Sequence, residues 1–281
     1  MKLHFINCGL FKLDGGAMFG IIPKKMWNKL NPADQDNLCT WSMRCLLIED
    51  GARKILVDTG MGTKQDEKFR SIFHPHGEDN LIDSLAKINI KPGDITDVFL
   101  THLHFDHVGG AVSRESSVKL VPTFPNAIYW TSKIHWDWAM NPNSREAASF
   151  LKENYLPLQE AGVIKHIEYS GQELIPGVST QFLFGHTEEM MGLHIDTGIH
   201  KFFYCADLIP SSFHIGLPYI MAYDLRPLIT LKEKGDLLER AINENIYLLF
   251  EHDPTTGCVS VKKNEQGRIV INEAVSLDSL Q

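Results

Sequence analysis

The feature that most narrows what this 281-residue chain can become is the run Thr101-His102-Leu103-His104-Phe105-Asp106-His107-Val108-Gly109-Gly110. Three imidazoles and one carboxylate fall within six positions, directly after the apolar triplet Val98-Phe99-Leu100. That triplet reads as the end of a buried strand, so the polar cluster sits where strand gives way to loop, a position typical of active sites. In extended backbone, residues two apart share a face, so His102 and His104 can bind one ion. As the chain turns, Asp106 and His107 can reach a second ion beside it, and Gly109-Gly110 lets the backbone leave tightly. The residue set reads as a two-metal site.

The remaining strand and helix signals follow in order. Strands are expected at residues 3–8, 43–49, 54–57, 97–101, 118–121, 127–130, 178–184, 192–196, 201–204 and 246–250, with a closing hairpin at 258–261 and 268–271. Helices are expected at 79–88, where Leu81, Ile82, Leu85 and Ile88 share a face, and at 236–245. Residues 15–23 read as a hairpin or loop, and Met18, Phe19 and Trp27 around it are candidates to line a substrate mouth. An aromatic-rich helical insertion around 131–160 brings Trp136 and Trp138 as further candidates for an apolar pocket, with His135 read as a surface or lid residue. Asp58 ends its strand as His102 ends another, which would bring the two close if those strands are neighbours.

Composition removes several classes of function. Lys+Arg 27 against Asp+Glu 35 gives a net charge of −8, which argues against a surface built to neutralise a long nucleic acid. Five cysteines lie singly, so they are expected as reduced thiols rather than a disulfide framework. No secretory signal and no stretch near the roughly 20 apolar residues of a membrane span is visible. A cytoplasmic single-domain protein over 1–281 is expected, acting on a small molecule, without nucleic acid or membrane as partner.

His102, His104, Asp106 and His107 resemble the HxHxDH signature of the metallo-β-lactamase superfamily. Gly185-His186-Thr187 after an apolar strand, Asp207 after Phe202-Phe203-Tyr204 and His252 after strand 246–250 extend the resemblance along the chain. It implies an α+β fold, a four-layer αββα sandwich with a dinuclear site between the ends of two β-sheets. It also implies His102, His104 and His186 on one metal, Asp106, His107 and His252 on the other, and Asp207 bridging, with Asp58 orienting ligands from behind. Nitrogen and oxygen ligands without thiolate suit two zinc ions, with manganese or iron as alternatives.

Within the superfamily the chain looks most like the branch of N-acyl-homoserine lactonases and methyl parathion hydrolase-like enzymes. The expected chemistry is attack by a metal-bridging hydroxide on a lactone, ester or phosphotriester with an apolar substituent, Asp106 relaying a proton. An iron-dependent oxidoreductase, a thioesterase or a β-lactamase on the same fold are the alternatives. In the lactonases a tyrosine follows the bridging aspartate by three residues. Pro210 stands there instead, with Tyr204 and Tyr223 as possible substitutes.

Overall fold

The structure, a computed structural model, describes residues 1–116 and 119–280. In chain order its strands and helices are β1 (Lys2–Asp14), α1 (Gly15–Phe19), α2 (Lys24–Trp27), β2 (Leu38–Asp50), β3 (Arg53–Val57), α3 (Glu67–Phe73), α4 (Leu81–Lys87) and β4 (Asp97–Phe99). There follow α5 (Phe105–Val108), β5 (Val112–Arg114), β6 (Leu120–Pro122), β7 (Ile128–Ser132), α6 (Lys133–Met140), α7 (Leu156–Glu160), β8 (Ile164–Ile167), β9 (Glu173–Ile175) and β10 (Val178–Leu183). The chain closes with β11 (Met190–Asp196), β12 (Lys201–Tyr204), α8 (Pro227–Glu244), β13 (Ile246–Leu249), β14 (Cys258–Lys263) and β15 (Ile269–Ala274). The arrangement is α+β, as expected. Contacts divide the chain into two compact units, one of Met1–Gly9 with Met43–Tyr169 and one of Leu10–Ser42 with Ser170–Gln281.

The first unit is organised by a six-stranded sheet in the order β1-β2-β3-β4-β7-β8. β2 and β3 pair antiparallel, while β3, β4, β7 and β8 run parallel. Parallel neighbours need a crossover, and helices are the usual way to supply one. Leu81 and Leu85 of α4 and Trp136 of α6 join Leu56, Val98, Leu100 and Tyr129 in one buried core. Strands buried on both faces read as continuous apolar runs, which is why Ile55-Leu56-Val57 and Val98-Phe99-Leu100 were legible. Their carboxyl ends release Asp58 and Thr101-His102, the position at which parallel sheets present ligand-binding groups. Because β3 and β4 are direct neighbours, the two ends lie side by side.

The second unit has a seven-stranded sheet in the order β15-β14-β13-β12-β11-β10-β9. β12 and β13 form its parallel pair, bridged in sequence by α8, and the other pairs are antiparallel. Leu237, Leu238 and Ala241 are the buried stripe of α8, at helical spacing. β10, β12 and β13 end just before His186, Asp207 and His252 respectively.

Several boundaries differ from expectation, each for a physical reason. α8 begins at Pro227 rather than 236 because proline is at home in the first helical turn and packing outweighs the roughly 1 kcal/mol cost of Gly235 in its interior. Residues 15–19 are a short helix rather than a turn, capped by the Asp14 carboxylate accepting from Ala17 N at 2.7 Å. It ends at Gly20, whose φ of 57° and the Ile220 carbonyl 2.2 Å from where a Cβ would stand leave room for glycine alone. The strand expected at 118–121 appears as Leu120–Pro122, with position 118 outside the described residues.

Candidate metal centre

In the first unit the imidazoles of His102, His104 and His107 crowd together with almost no solvent exposure. The His102 ring centroid lies 3.9 Å from that of His107 and 4.5 Å from that of His104. Each ring has one nitrogen already engaged from behind. His107 Nδ1 donates to Asp58 Oδ2 at 3.1 Å, and that carboxylate also accepts from Thr101 N at 2.8 Å and Thr101 Oγ1 at 2.7 Å. Thr101 Oγ1, having given its proton to Asp58, accepts from His102 Nδ1 at 3.1 Å. His104 Nε2 points at Glu146 Oε1 at 3.4 Å, and Glu146 Oε2 accepts from Trp138 Nε1 at 2.7 Å and Asn143 Nδ2 at 2.9 Å. The opposite nitrogens, Nε2 of His102, Nδ1 of His104 and Nε2 of His107, are the atoms that could serve as ligands. Such outer partners fix tautomer and orientation and raise ligand basicity.

Asp58 reaches this position with φ of 57°, the left-handed region that non-glycine residues avoid. Strain of this kind, of order 1–3 kcal/mol, persists where surrounding structure dictates it. His135 is no lid residue. It is fully buried and its Nε2 accepts Leu103 N at 2.8 Å, pinning the backbone between two of the clustered histidines. Asp106 lies on α5 with its carboxylate 3.9 Å from His107 Nε2.

The second unit builds its part differently. Asp207 presents Oδ2 to His186 Nε2 at 3.2 Å and Oδ1 to His252 Nε2 at 3.1 Å. The far nitrogens are taken, His186 Nδ1 by Asp224 Oδ1 at 2.8 Å and His252 Nδ1 by the Ser42 carbonyl at 2.8 Å. Burial holds the Asp224 carboxyl above the usual carboxylate range, and its hydrogen bond and charge interaction with His186 offset this only in part. Ala206, just before Asp207, adopts φ of 44°, a second left-handed residue at the site.

This geometry fits a bound cation. A neutral imidazole carries one N–H, yet both nitrogens of His186 and of His252 face acceptors. A divalent cation held by His186, His252 and Asp207 would resolve that mismatch. Asp224, Glu146 and Ser42 were missed by sequence reasoning. They lie 38, 42 and 210 residues from the histidines they hold, and no local pattern links such pairs.

The expected pocket residues fall into two groups. Met18, Phe19 and Trp27 are buried in the second unit, where Phe19 stacks between Trp27 at 5.3 Å and His214 at 4.9 Å. His214 is held by Ser211 Oγ and the Met18 carbonyl, and burial drives it down to about 3, so it stays neutral. Trp136 belongs to the core of the first unit and meets Tyr155 edge-on at 5.5 Å, while Trp138 packs against that core and serves Glu146. Tyr204 is buried with its hydroxyl on Glu251 Oε2 at 2.7 Å, whereas Tyr223 is exposed.

Comparison with known proteins agrees with this chemistry. The metallo-beta-lactamase superfamily profile matches residues 44–245, and the chain belongs to that superfamily. It is a metal-dependent hydrolase by class. An N-acyl homoserine lactonase of Bacillus cereus is 25% identical over 265 residues, covering 90% of this chain and 93% of that protein. The lactonase AiiA of Bacillus thuringiensis subsp. kurstaki is 26% identical with the same coverage. Among solved structures, one described as a probable metal-dependent hydrolase from Staphylococcus aureus is 27% identical, with a TM-score of 0.87 over 98% of both chains. AidC, a dizinc quorum-quenching lactonase, shares the fold at 23% identity and a TM-score of 0.79, covering 98% of this chain and 94% of its own.

Proposed function

We propose that the protein is a dinuclear metal hydrolase that opens a lactone or ester bearing an apolar acyl group. In this reading His102, His104 and His186 hold one metal, Asp106, His107 and His252 hold the other, and Asp207 serves both. The observation that carries it is Asp207, whose two oxygens face two different imidazoles each already fixed from behind. Zinc suits a set of imidazole and carboxylate ligands without thiolate. When bound, the metals supply an activated water and polarise the substrate oxygen.

The chain's own residues do the rest. Asp58, Glu146 and Asp224 hold the imidazoles in orientation, so little reorganisation accompanies substrate binding. Asp106 accepts and passes on a proton as the substrate bond breaks, a role supported by its burial beside His107. The buried stack of Phe19 between Trp27 and His214 forms an apolar layer, with His214 neutral, that supports an acyl pocket from behind rather than lining it. An apolar substituent desolvated in a pocket backed by that layer contributes about 25 cal/mol per Å² removed from water.

The test is a paired series of acyl-homoserine lactones and aryl esters or phosphotriesters of matched apolar size, assayed with defined metals. The expected result is kcat/KM rising with acyl length for lactones, and Phe19→Leu flattening that rise while sparing short substrates. Leu is chosen because Ala would empty the aromatic stack and cost about 3–5 kcal/mol of stability. Near-stoichiometric iron with oxygen consumption would displace the hydrolytic reading. Efficient turnover independent of substituent size would remove the apolar layer from the account.

A further inference from the structure

Residues 21–30 present a surface unlike the rest of their unit. Ile21 is 89% exposed, and Met26 and Leu30 are exposed with it. Lys24, Lys25 and Lys29 are interspersed among them, and no acidic residue falls in the segment. Four other lysines of this unit sit in ion pairs, Lys12 with Asp34, Lys201 with Glu244, Lys232 with Asp236 and Lys263 with Glu239, and Lys234 is held by backbone carbonyls. Among the described residues no carboxylate pairs with Lys24, Lys25 or Lys29. In a chain of net charge −8, three lysines within six positions lack a carboxylate partner, and Lys24 instead holds its ammonium 5.7 Å from the Trp27 ring centre.

The segment is held in shape. Trp27 turns inward onto Phe19, and Asn28 N donates to Lys24 O at 2.9 Å and Leu30 N to Trp27 O at 2.8 Å. The inward Trp27 fixes the backbone, so the outward groups are displayed rather than collapsed. A second exposed set, Leu217, Tyr223 and the 79% exposed Leu228, lies on the loop and helix start that follow Ser212–His214. That loop meets the N-terminal segment where Ala222 N donates to Ala17 O at 2.8 Å.

We propose that residues 21–30 dock on an anionic lipid bilayer surface, the lysines meeting headgroup charge and Ile21, Met26 and Leu30 entering the acyl boundary. The lysines favour an anionic surface, and a side chain as exposed as Ile21, at 89%, stands clear of its neighbours and is free to enter an apolar layer. Lysine stems can lie along the apolar layer while their ammonium groups stay wet, which is how such segments seat at an interface. Each lysine near an anionic surface strengthens partition about fivefold. The acidic remainder of the chain opposes this only weakly beyond the screening length of about 10 Å. The inference departs from the expectation of no membrane partner, because residue order alone does not show which apolar groups stay outside. It rests on no part of the function proposed above.

The experiment is co-sedimentation of the full, metal-loaded chain with vesicles of phosphatidylcholine alone and of phosphatidylcholine mixed with phosphatidylglycerol. Association should require phosphatidylglycerol and weaken with salt. The triple variant Lys24→Gln, Lys25→Gln, Lys29→Gln should lower partition about a hundredfold, and Ile21→Ser about tenfold. Since all four side chains are exposed, melting temperature and turnover of a water-soluble substrate should stay at wild-type values in both variants. No association, equal association with neutral vesicles, or indifference to the triple variant would each overturn the proposal. So would a solution dimer that Ile21→Ser converts to monomer, or tight binding of poly-glutamate lost in the triple variant while vesicles stay unbound.

Discussion

The two units gather the same kinds of side chain, imidazoles and carboxylates, by opposite routes. In the first, His102, His104, Asp106 and His107 come from one strand end and one short helix, so the chain's local geometry brings them together. In the second, His186 and His252 lie 66 positions apart with Asp207 between them, and each of the three follows a different strand of one sheet. The local cluster depends on a turn, and the dispersed one depends on a whole sheet being in register. Yet both share a second layer of the same design, an acceptor behind each imidazole and one left-handed residue beside it, Asp58 in one unit and Ala206 in the other.

That comparison predicts where the site should break hardest. Asp207→Ala removes the one carboxylate facing both His186 and His252, leaving two buried imidazoles without the partner their Nε2 atoms share. Metal content after dialysis and hydrolytic rate should both fall by more than the roughly hundredfold typical of losing an outer partner. Asp207→Asn should recover little, since an amide cannot accept from both sides. Retention of two metals with full activity in either variant would end the bridging account.

The outer carboxylates should rank below it. Asp58→Ala and Asp224→Ala should each lower metal affinity about 10–100-fold while touching no metal themselves. Glu146→Ala should cost less at its histidine, because its contact with His104 Nε2 is 3.4 Å against 3.1 Å for Asp58 and 2.8 Å for Asp224. Losing Glu146 should instead loosen residues 138–146, since Trp138 and Asn143 also bond to it, so faster backbone hydrogen exchange there is the sharper readout. If competition titration with a chromogenic chelator gave the three variants equal affinities, distance would not be what grades these partners.

The same contrast explains what the residue order revealed. The clustering of the first set of histidines was legible because all its members are close in sequence and follow an apolar run. His186, Asp207 and His252 were legible only through resemblance, each being an ordinary polar residue after a strand. Asp224 sits in an irregular stretch before α8, and Glu146 in a loop between α6 and α7, so neither carries a period or spacing that marks it. Nor could composition show that the chain divides inside β1 and β2. The division falls after Gly9, at φ of 97°, and after Ser42, with no linker-like stretch at either place.

Each unit also buries one lysine against backbone carbonyls, and pH should separate the two. Lys234 donates to the carbonyls of Gly216 and Tyr219, both at 2.8 Å, and Lys64 donates to that of Gly109, two residues after His107. Burial pulls Lys234 down from 10.5 to about 7, against the nearby Asp224 charge, and pulls Lys64 down to about 8, against Glu153. In both cases the unfolded chain holds its proton to higher pH than the folded one. Unfolded protein therefore binds more protons between the two values, and stability must rise with pH across that window. For Lys234 the rise begins near pH 7, and for Lys64 near pH 8. Lys64 is partly exposed, so solvent screening should leave it the smaller share. Urea midpoints at stepped pH values test this, with Lys234→Met flattening the curve from neutrality upward and Lys64→Met trimming only its alkaline end. Lys234→Met should also lower the curve as a whole, because the buried Gly216 and Tyr219 carbonyls lose their donor, at about 1–3 kcal/mol for a buried group left unpaired. Wild-type slope in both variants would mean that the carbonyl dipoles around each ammonium compensate its burial, and that the two lysines stay charged throughout.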